Sequence, residues 1–75
     1  MDVSEAFGKA VRKLRAKKDL TQEQLGFESD LRRTFISSLE LGQKQPSIAT
    51  IQKLANTFGI SMARLMELTE KEMSR

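Results

Sequence analysis

Apolar residues recur along this chain at intervals of three and four, and alternation of apolar with polar residues is absent. That period belongs to helices with one buried stripe and not to strands. Phe7, Ala10, Val11 and Leu14 form the first stripe, with Lys9, Arg12, Lys13 and Lys17 mostly off it. Ser4 is the expected cap of this helix, which should fade near Lys18-Asp19. A second helix opens on Thr21, and Gln24 three residues later completes a capping-box spacing. Leu20 and Leu25 flank that cap as a hydrophobic staple does. The helix is expected to run to Glu28 or Ser29, followed by a short turn, Ser29-Asp30-Leu31. A third helix is predicted over about 32–40, with Ile36 and Leu39 inward, Leu31 at its entrance and Gly42 as its stop. After the polar loop "QKQPS", Ser47 caps a fourth helix. Its Ile48, Ile51, Leu54, Ala55 and Phe58 share a face, and Gly59 closes it. Ser61 begins a fifth helix with Met62, Leu65, Met66 and Thr69 along one side, and residues 70–75 are expected to fray. The fold class is therefore all-α: a single compact five-helix domain over 1–75, with its core in 6–69.

Charge sharpens this picture. The net charge is +3, and its distribution is uneven. Residues 9–18, "KAVRKLRAKK", hold six basic residues and no acid. Residues 32–53 hold four basic residues against one acid, Glu40, whereas 64–75 balance three against three. The positive field therefore belongs to the first two thirds of the chain. Such a run is either a solvated helix face or a phosphate-binding surface. The chain has no cysteine and no histidine, which excludes disulfides, zinc sites built on those residues and histidine-based catalysis. Its carboxylates are spread singly over helix surfaces, so an enzyme is not expected, and neither is a metal or a cofactor. No apolar run approaches the length of a membrane span, so a cytoplasmic location is expected, with no membrane partner. A domain of this size buries only about 60% of its unfolded surface, which leaves stability marginal and makes association into an oligomer the expectation on size alone.

The short connection between the second and third helices turns the chain sharply, as in a helix-turn-helix. The stretch "LTQEQLGFESDLRRTFISSLELGQKQPSIATIQKLANTFGI" resembles the DNA-binding domain of the lambdoid phage repressors, Cro proteins and xenobiotic-response-element regulators. The resemblance covers about residues 6–68. It rests on Leu14-Arg15, Leu20-Thr21-Gln22, Leu25, Phe35-Ile36-Ser37, Leu39-Glu40, Gly42, Pro46-Ser47 and Leu54-Ala55 leading to Phe58-Gly59-Ile60. It implies a sequence-specific transcriptional regulator that binds the major groove of double-stranded DNA as a homodimer, without a small-molecule ligand. By the family pattern Arg33, Thr34 and Ser38 read bases. Gln22, Arg32, Ser37, Gln43, Lys44 and Gln45 hold the DNA backbone, and Arg12, Lys13, Lys17 and Lys18 extend that footprint. Arg15 and Glu40 match an internal ion pair. Ile60, Leu65, Met66 and Thr69 are candidates for the dimer interface, although the methionine–leucine stripe is equally explained as core. Phe35 is open between scaffold packing and contact with a thymine methyl or a sugar.

The chain departs from the pattern at the turn. Asp30 stands where glycine is usual, and Arg32 stands where a serine or threonine cap is usual, which leaves Asp30 as a candidate for the missing acceptor. Glycine at Gly26 allows close helix approach, and Phe27 is larger and more apolar than an exposed position requires. Within the family, a chain of this length with "LRRTFISSLELGQKQPS" looks like the controller proteins of restriction-modification systems. A prophage repressor, or an antitoxin-type regulator whose main partner is a protein, is the alternative.

Overall fold

Four of the five helices begin where a short polar side chain meets the free amides of the first turn. The structure, a computed structural model, describes residues 1–74. The helices are α1 (Val3–Lys17), α2 (Gln22–Ser29), α3 (Arg33–Glu40), α4 (Ile48–Phe58) and α5 (Met62–Met73). Asp2 Oδ1 accepts from the Glu5 amide at 2.9 Å, so Asp2 caps α1 and the expected Ser4 lies inside the helix. Thr21 and Gln24 form both halves of a capping box. Ser47 and Ser61 accept from the Thr50 and Arg64 amides. The exception is α3, whose N-cap Arg32 makes no side-chain capping bond. Asp30 does not supply the missing acceptor. Its carboxylate lies 3.8 Å from Lys53 Nζ instead.

The helix ends follow one pattern. Asp19, Asp30, Gly42 and Gly59 all have positive φ, between 58° and 75°. In each case the next residue donates its amide to the carbonyl five residues back: Leu20 to Arg15, Leu31 to Gly26, Gln43 to Ser38 and Ile60 to Ala55, at 2.8–3.1 Å. This six-to-one bond after a left-handed residue satisfies carbonyls that the helix leaves open. Three of the four residues that follow the left-handed position, Leu20, Leu31 and Ile60, are apolar and pack against the core. The same motif therefore stops α1, α2 and α4 and turns an apolar anchor inward.

The core is Phe7, Val11, Leu25, Ile36, Leu39, Leu54, Ala55, Phe58 and Leu65, contributed by all five helices. α1 lies between α3 and α5, and α2 packs on α3 and α4. Gly8 permits the α1–α3 approach, because a Cβ there would sit 2.2 Å from the Leu39 carbonyl oxygen. Gly26 does the same for α2 against the turn, where a Cβ would lie 2.6 Å from the Leu31 carbonyl oxygen. α5 continues to Met73, so 70–73 do not fray as expected. Thr69 and Glu72 are buried there, and Lys13 Nζ meets Glu72 Oε2 at 2.7 Å. Of the remaining residues in the expected frayed stretch, Arg75 lies outside the described residues.

A polar network locks α1, α2 and α3 together. Arg15 donates to both carboxylate oxygens of Glu40, from Nε at 2.6 Å and Nη2 at 3.0 Å. Its Nη1 donates to the Leu20 carbonyl oxygen at 2.8 Å, and Gln22 Nε2 donates to Glu40 Oε1 at 3.1 Å. The side chains of Arg15 and Glu40 retain 18% and 4% of their exposure. The Glu40 hydrogen bonds raise the Arg15 pKa above its usual value, against the opposing effect of burial. A raised folded-state pKa is lost as stability only when pH climbs through it, so Arg15 stays charged at every working pH.

Two predictions test these devices. Glu40→Ala leaves Arg15 without its counter-charge in a poorly hydrated place, and should cost about 3–5 kcal/mol, lowering the melting midpoint by on the order of 20 °C in calorimetry. At the turn, Asp30→Gly removes a left-handed penalty and should raise stability by about 0.5–1 kcal/mol. Asp30→Val, with a branched Cβ at positive φ, should lower it by roughly 1–2 kcal/mol in urea titration.

Candidate nucleic-acid interface

Ile36 and Leu39 are fully buried, which fixes the rotation of α3 about its axis. The opposite side must then face solvent. Arg32, Arg33 and Thr34 are exposed at its start, and Ser37 and Ser38 are half-buried one turn on. Leu41, just past the end, keeps 65% of its exposure. Thr34, Ser37 or Ser38, and Leu41 follow one another at helical spacing and form a single outward line. Sequence reasoning missed Leu41 because it sits beyond the last helical residue and resembles one more core leucine. Phe35 is half-buried and packs against the core.

The elements on either side of α3 converge on it. Gln43, Lys44 and Gln45 leave its C-terminal end and are exposed. Gln22, the first residue of α2, is held beside the same end by its bond to Glu40. A glutamine amide has two donor hydrogens, so this bond still leaves one N–H for another acceptor. The structure thus brings Gln22, Arg32, Arg33, Thr34, Ser37, Ser38 and the 43–45 loop onto α3 and its immediate borders.

The sign of the local field follows from the ion pair. Glu40 is the one acid between residues 32 and 53, and Arg15 meets its charge from inside. Arg33 and Lys44 therefore act on solvent without an unpaired acid on the same helix or loop, while the exposed Asp30, in the turn with Arg32, lies 3.8 Å from Lys53 Nζ. α3 also points its amides outward at this end, with no acid in its first turn. Both features favour an anion.

The other basic residues divide differently. Lys13 and Lys17 line a cleft between α1 and α5, with Lys13 bound to Glu72. The proposed footprint of Arg12, Lys13, Lys17 and Lys18 therefore begins on the α1 face that borders α5.

The dimer candidates also separate. Leu65 and Thr69 have 0% exposure, and the Thr69 hydroxyl donates to the Leu65 carbonyl oxygen at 3.0 Å. Neither has surface left to offer a second subunit, so both are core. Their periodicity could not reveal this, because one stripe serves equally for core and contact. Ile60 lines the α1–α5 cleft. Met66 lines a shallow groove with Val3, Phe7 and Ile51, walled by Ser4, Gln45 and Pro46 and lacking any charged side chain. Among the described residues, no group of three or more acids, histidines or cysteines could hold a metal ion. No helix among them is long and apolar enough to cross a membrane.

The arrangement matches known proteins closely. A helix-turn-helix family profile covers residues 11–65. Control protein C.MunI from a Mycoplasma species is 38% identical over 72 residues, which span 95% of this chain and 97% of the relative. Control protein C.BamHI from Bacillus amyloliquefaciens is 39% identical over 64 residues, spanning 84% and 79% of the two chains. The restriction-modification controller protein C.AhdI from Aeromonas hydrophila superposes with a TM-score of 0.79 at 39% identity, over 81% of this chain and 92% of that one. The controller protein C.Esp1396I, solved as a tetramer with its natural 35 base-pair operator, superposes with a TM-score of 0.89 at 25% identity, over 100% and 99%. The chain belongs to the Cro/C1-like helix-turn-helix family and groups there with the restriction-modification controller proteins.

Proposed function

We propose that this protein is a sequence-specific transcriptional regulator that binds a twofold-symmetric operator as a homodimer and controls a restriction-modification system. The observation that carries the reading is Arg33. It is exposed at the leading tip of a helix whose opposite face is buried in the core. A helix enters the major groove with that end first. There a guanidinium can donate two hydrogen bonds to O6 and N7 of one guanine. Thr34 and Ser38 stand behind it as the other base readers, Thr34 with a methyl and a hydroxyl to offer. Leu41 joins the line as an apolar contact for a thymine methyl.

Gln22, Arg32, Ser37, Gln43, Lys44 and Gln45 border this line and hold phosphates on either side of the groove, which sets register without reading sequence. The missing cap of α3 fits the same reading. Arg32 and Arg33 crowd positive charge onto the positive end of a helix dipole, an arrangement that a DNA phosphate relieves. Pairing of two subunits places two such helices on one side of the duplex. The uncharged groove at Val3, Ile51 and Met66, together with the exposed Ile48 beside it in sequence, is the surface suited to that pairing, because interface cores are depleted of charge. Action on cellular DNA goes with a cytoplasmic location.

Selection of binding sites from random DNA should return two half-sites related by twofold symmetry, their centres about 34 Å apart or a multiple of that. Arg33→Ala should relax preference at one base pair in each half-site and cost about 1–3 kcal/mol there. An unchanged consensus would move base reading away from Arg33. Lys44→Ala should weaken all sequences alike and flatten the salt dependence by about 0.9 per subunit. Arg32→Ser should act in opposite directions on two measurements: free-protein stability rises by about 1 kcal/mol through the new cap, while affinity for DNA falls.

A further inference from the structure

The cleft between α1 and α5 has no part in the reading just given. Its volume is about 370 Å³, within the range of small-ligand sites. Its floor is aliphatic: Ala10 and Leu14 from α1, Ile60 from the turn before α5, and Leu68 from α5 itself. Leu14 and Ile60 also pack against the buried core, whereas Leu68 is half-buried without packing on it. The apolar surface of Leu68 is therefore turned to the cleft and not to the core.

The rim is cationic. Lys17 and Lys71 stand there, both exposed, and among the described residues neither lies in ion-pair range of an acid. Lys13 and Arg64 are there too, each engaged by an acid, Glu72 and Glu67. Two approaches give the direction of the helices. Lys13 reaches Glu72 in the last turn of α5, whereas a Cβ at Gly59, ahead of its first turn, would lie 3.9 Å from Lys18 Nζ. α1 and α5 therefore run antiparallel along the cleft, with Lys17 toward the start of α5 and Lys71 toward its end. Between Arg64 and Lys71 the α5 wall is about 10 Å long at ~1.5 Å per residue.

Floor and rim together select the occupant. A bare phosphate or a DNA backbone would meet the lysines and leave the aliphatic floor in water. A nucleobase stacks on aromatic rings, and none lines this cleft among the described residues. A cation would be repelled by the rim. A straight aliphatic chain with one anionic head suits both surfaces. We propose that the α1–α5 cleft binds a free medium-chain carboxylate, its alkyl chain over Leu14, Ile60 and Leu68 and its head at Lys17. The head lies at that end because the other end already holds the Glu72 carboxylate. This site stands independently of the DNA-binding reading.

The test uses the full chain with sodium octanoate, octan-1-ol and octylammonium chloride as probes, each below the concentration at which it aggregates. Titration is followed by the methyl resonances of Leu14, Ile60 and Leu68 and by the melting midpoint. Octanoate should bind saturably, move these three sets of methyls and raise the midpoint, since a ligand of the native state stabilises it. Lengthening hexanoate to octanoate should tighten binding by up to about tenfold, because each buried methylene adds its own increment. Octanoate should bind about threefold or more tighter than octanol, and octylammonium weakest of the three. Leu68→Gln should weaken octanoate about tenfold while leaving single-operator affinity unchanged. Lys17→Gln should abolish the preference for octanoate over octanol but retain octanol binding, whereas Lys71→Gln should reduce that preference only in part.

Equal affinity of the wild type for octanoate and octanol overturns the anionic head. Shifts that never saturate, or that centre on Ile51 and Met66 in the uncharged groove, overturn the site. So does a Leu68→Gln chain whose mass in sedimentation falls below that of the wild type, because the cleft is then covered by a second copy. Operator binding is a separate measurement, so failure of either reading leaves the other standing.

Discussion

The Arg15–Glu40 pair is the constraint on which the rest of this molecule depends. One carboxylate accepts from two nitrogens of Arg15 on α1 and from the Gln22 amide on α2, while belonging to the last residue of α3. Three helices are thus referred to a single point. Because the carboxylate is almost fully enclosed, its neutralisation must come from within, and a guanidinium is suited to this by its rigid fork of donors. Removal of either partner leaves a buried charge, so the network holds geometry more strongly than it adds net stability. The same bond that keeps Glu40 from opposing DNA also holds Gln22 at the edge of α3. Fold and electrostatic sign of the interface are therefore consequences of one interaction.

The helix ends complete the frame. A domain of this size gains little from burial alone, so each connection has to contribute. At three of the four stops a left-handed residue satisfies carbonyls while an apolar residue after it joins the core. Two of the left-handed positions are aspartates and not glycines. Aspartate tolerates this conformation better than most residues, through its short polar side chain. Mutation of the turn thus separates backbone strain from the chemistry of the reading helix beside it.

Much of this was legible in the residues themselves. The five helices, the capping box at Thr21 and the glycine stops after α3 and α4 follow from local spacing and cap chemistry, and local rules decide them. What spacing left open was decided by tertiary packing. Thr69 and Leu65 belong to the same stripe as Met66, yet two are enclosed and one borders a groove, because α1 covers only part of α5. Asp2 stands in place of Ser4 as the first cap because its carboxylate accepts from the Glu5 amide, which starts α1 two residues earlier. The stretch from Glu70 to Met73 reads as a polar tail, but its Glu72 is buried against α1 and bound to Lys13. Leu41 was invisible as a surface feature for the opposite reason, since an apolar residue carries no mark in sequence that it will stay in water, whereas Phe27 was legible as an exposed apolar residue from its place on α2. The positions of Arg33 and Thr34 needed both levels. Spacing places them opposite Ile36 and Leu39, and burial of those two fixes the direction.

Local disagreement with helix chemistry is concentrated at the start of α3. Every other helix has an oxygen acceptor at its N-cap; this one has Arg32, followed by a second arginine, at the positive end of its dipole. A missing cap costs about 1 kcal/mol, and like charge at a helix end adds several tenths more at low salt. Among the described residues no side chain caps that point, since Asp30 lies toward Lys53. The offset has to come from the rest of the fold or from a bound anion. Ile36 and Leu39 hold the helix by burial, so α3 stays folded with its first turn undersupplied with acceptors. A phosphate that arrives there gains bonds that no group of the protein competes for. On the proposed reading, stability withheld from the free protein at Arg32 is available to the complex, and a better cap and a better DNA-binding surface are then opposing demands on this one residue.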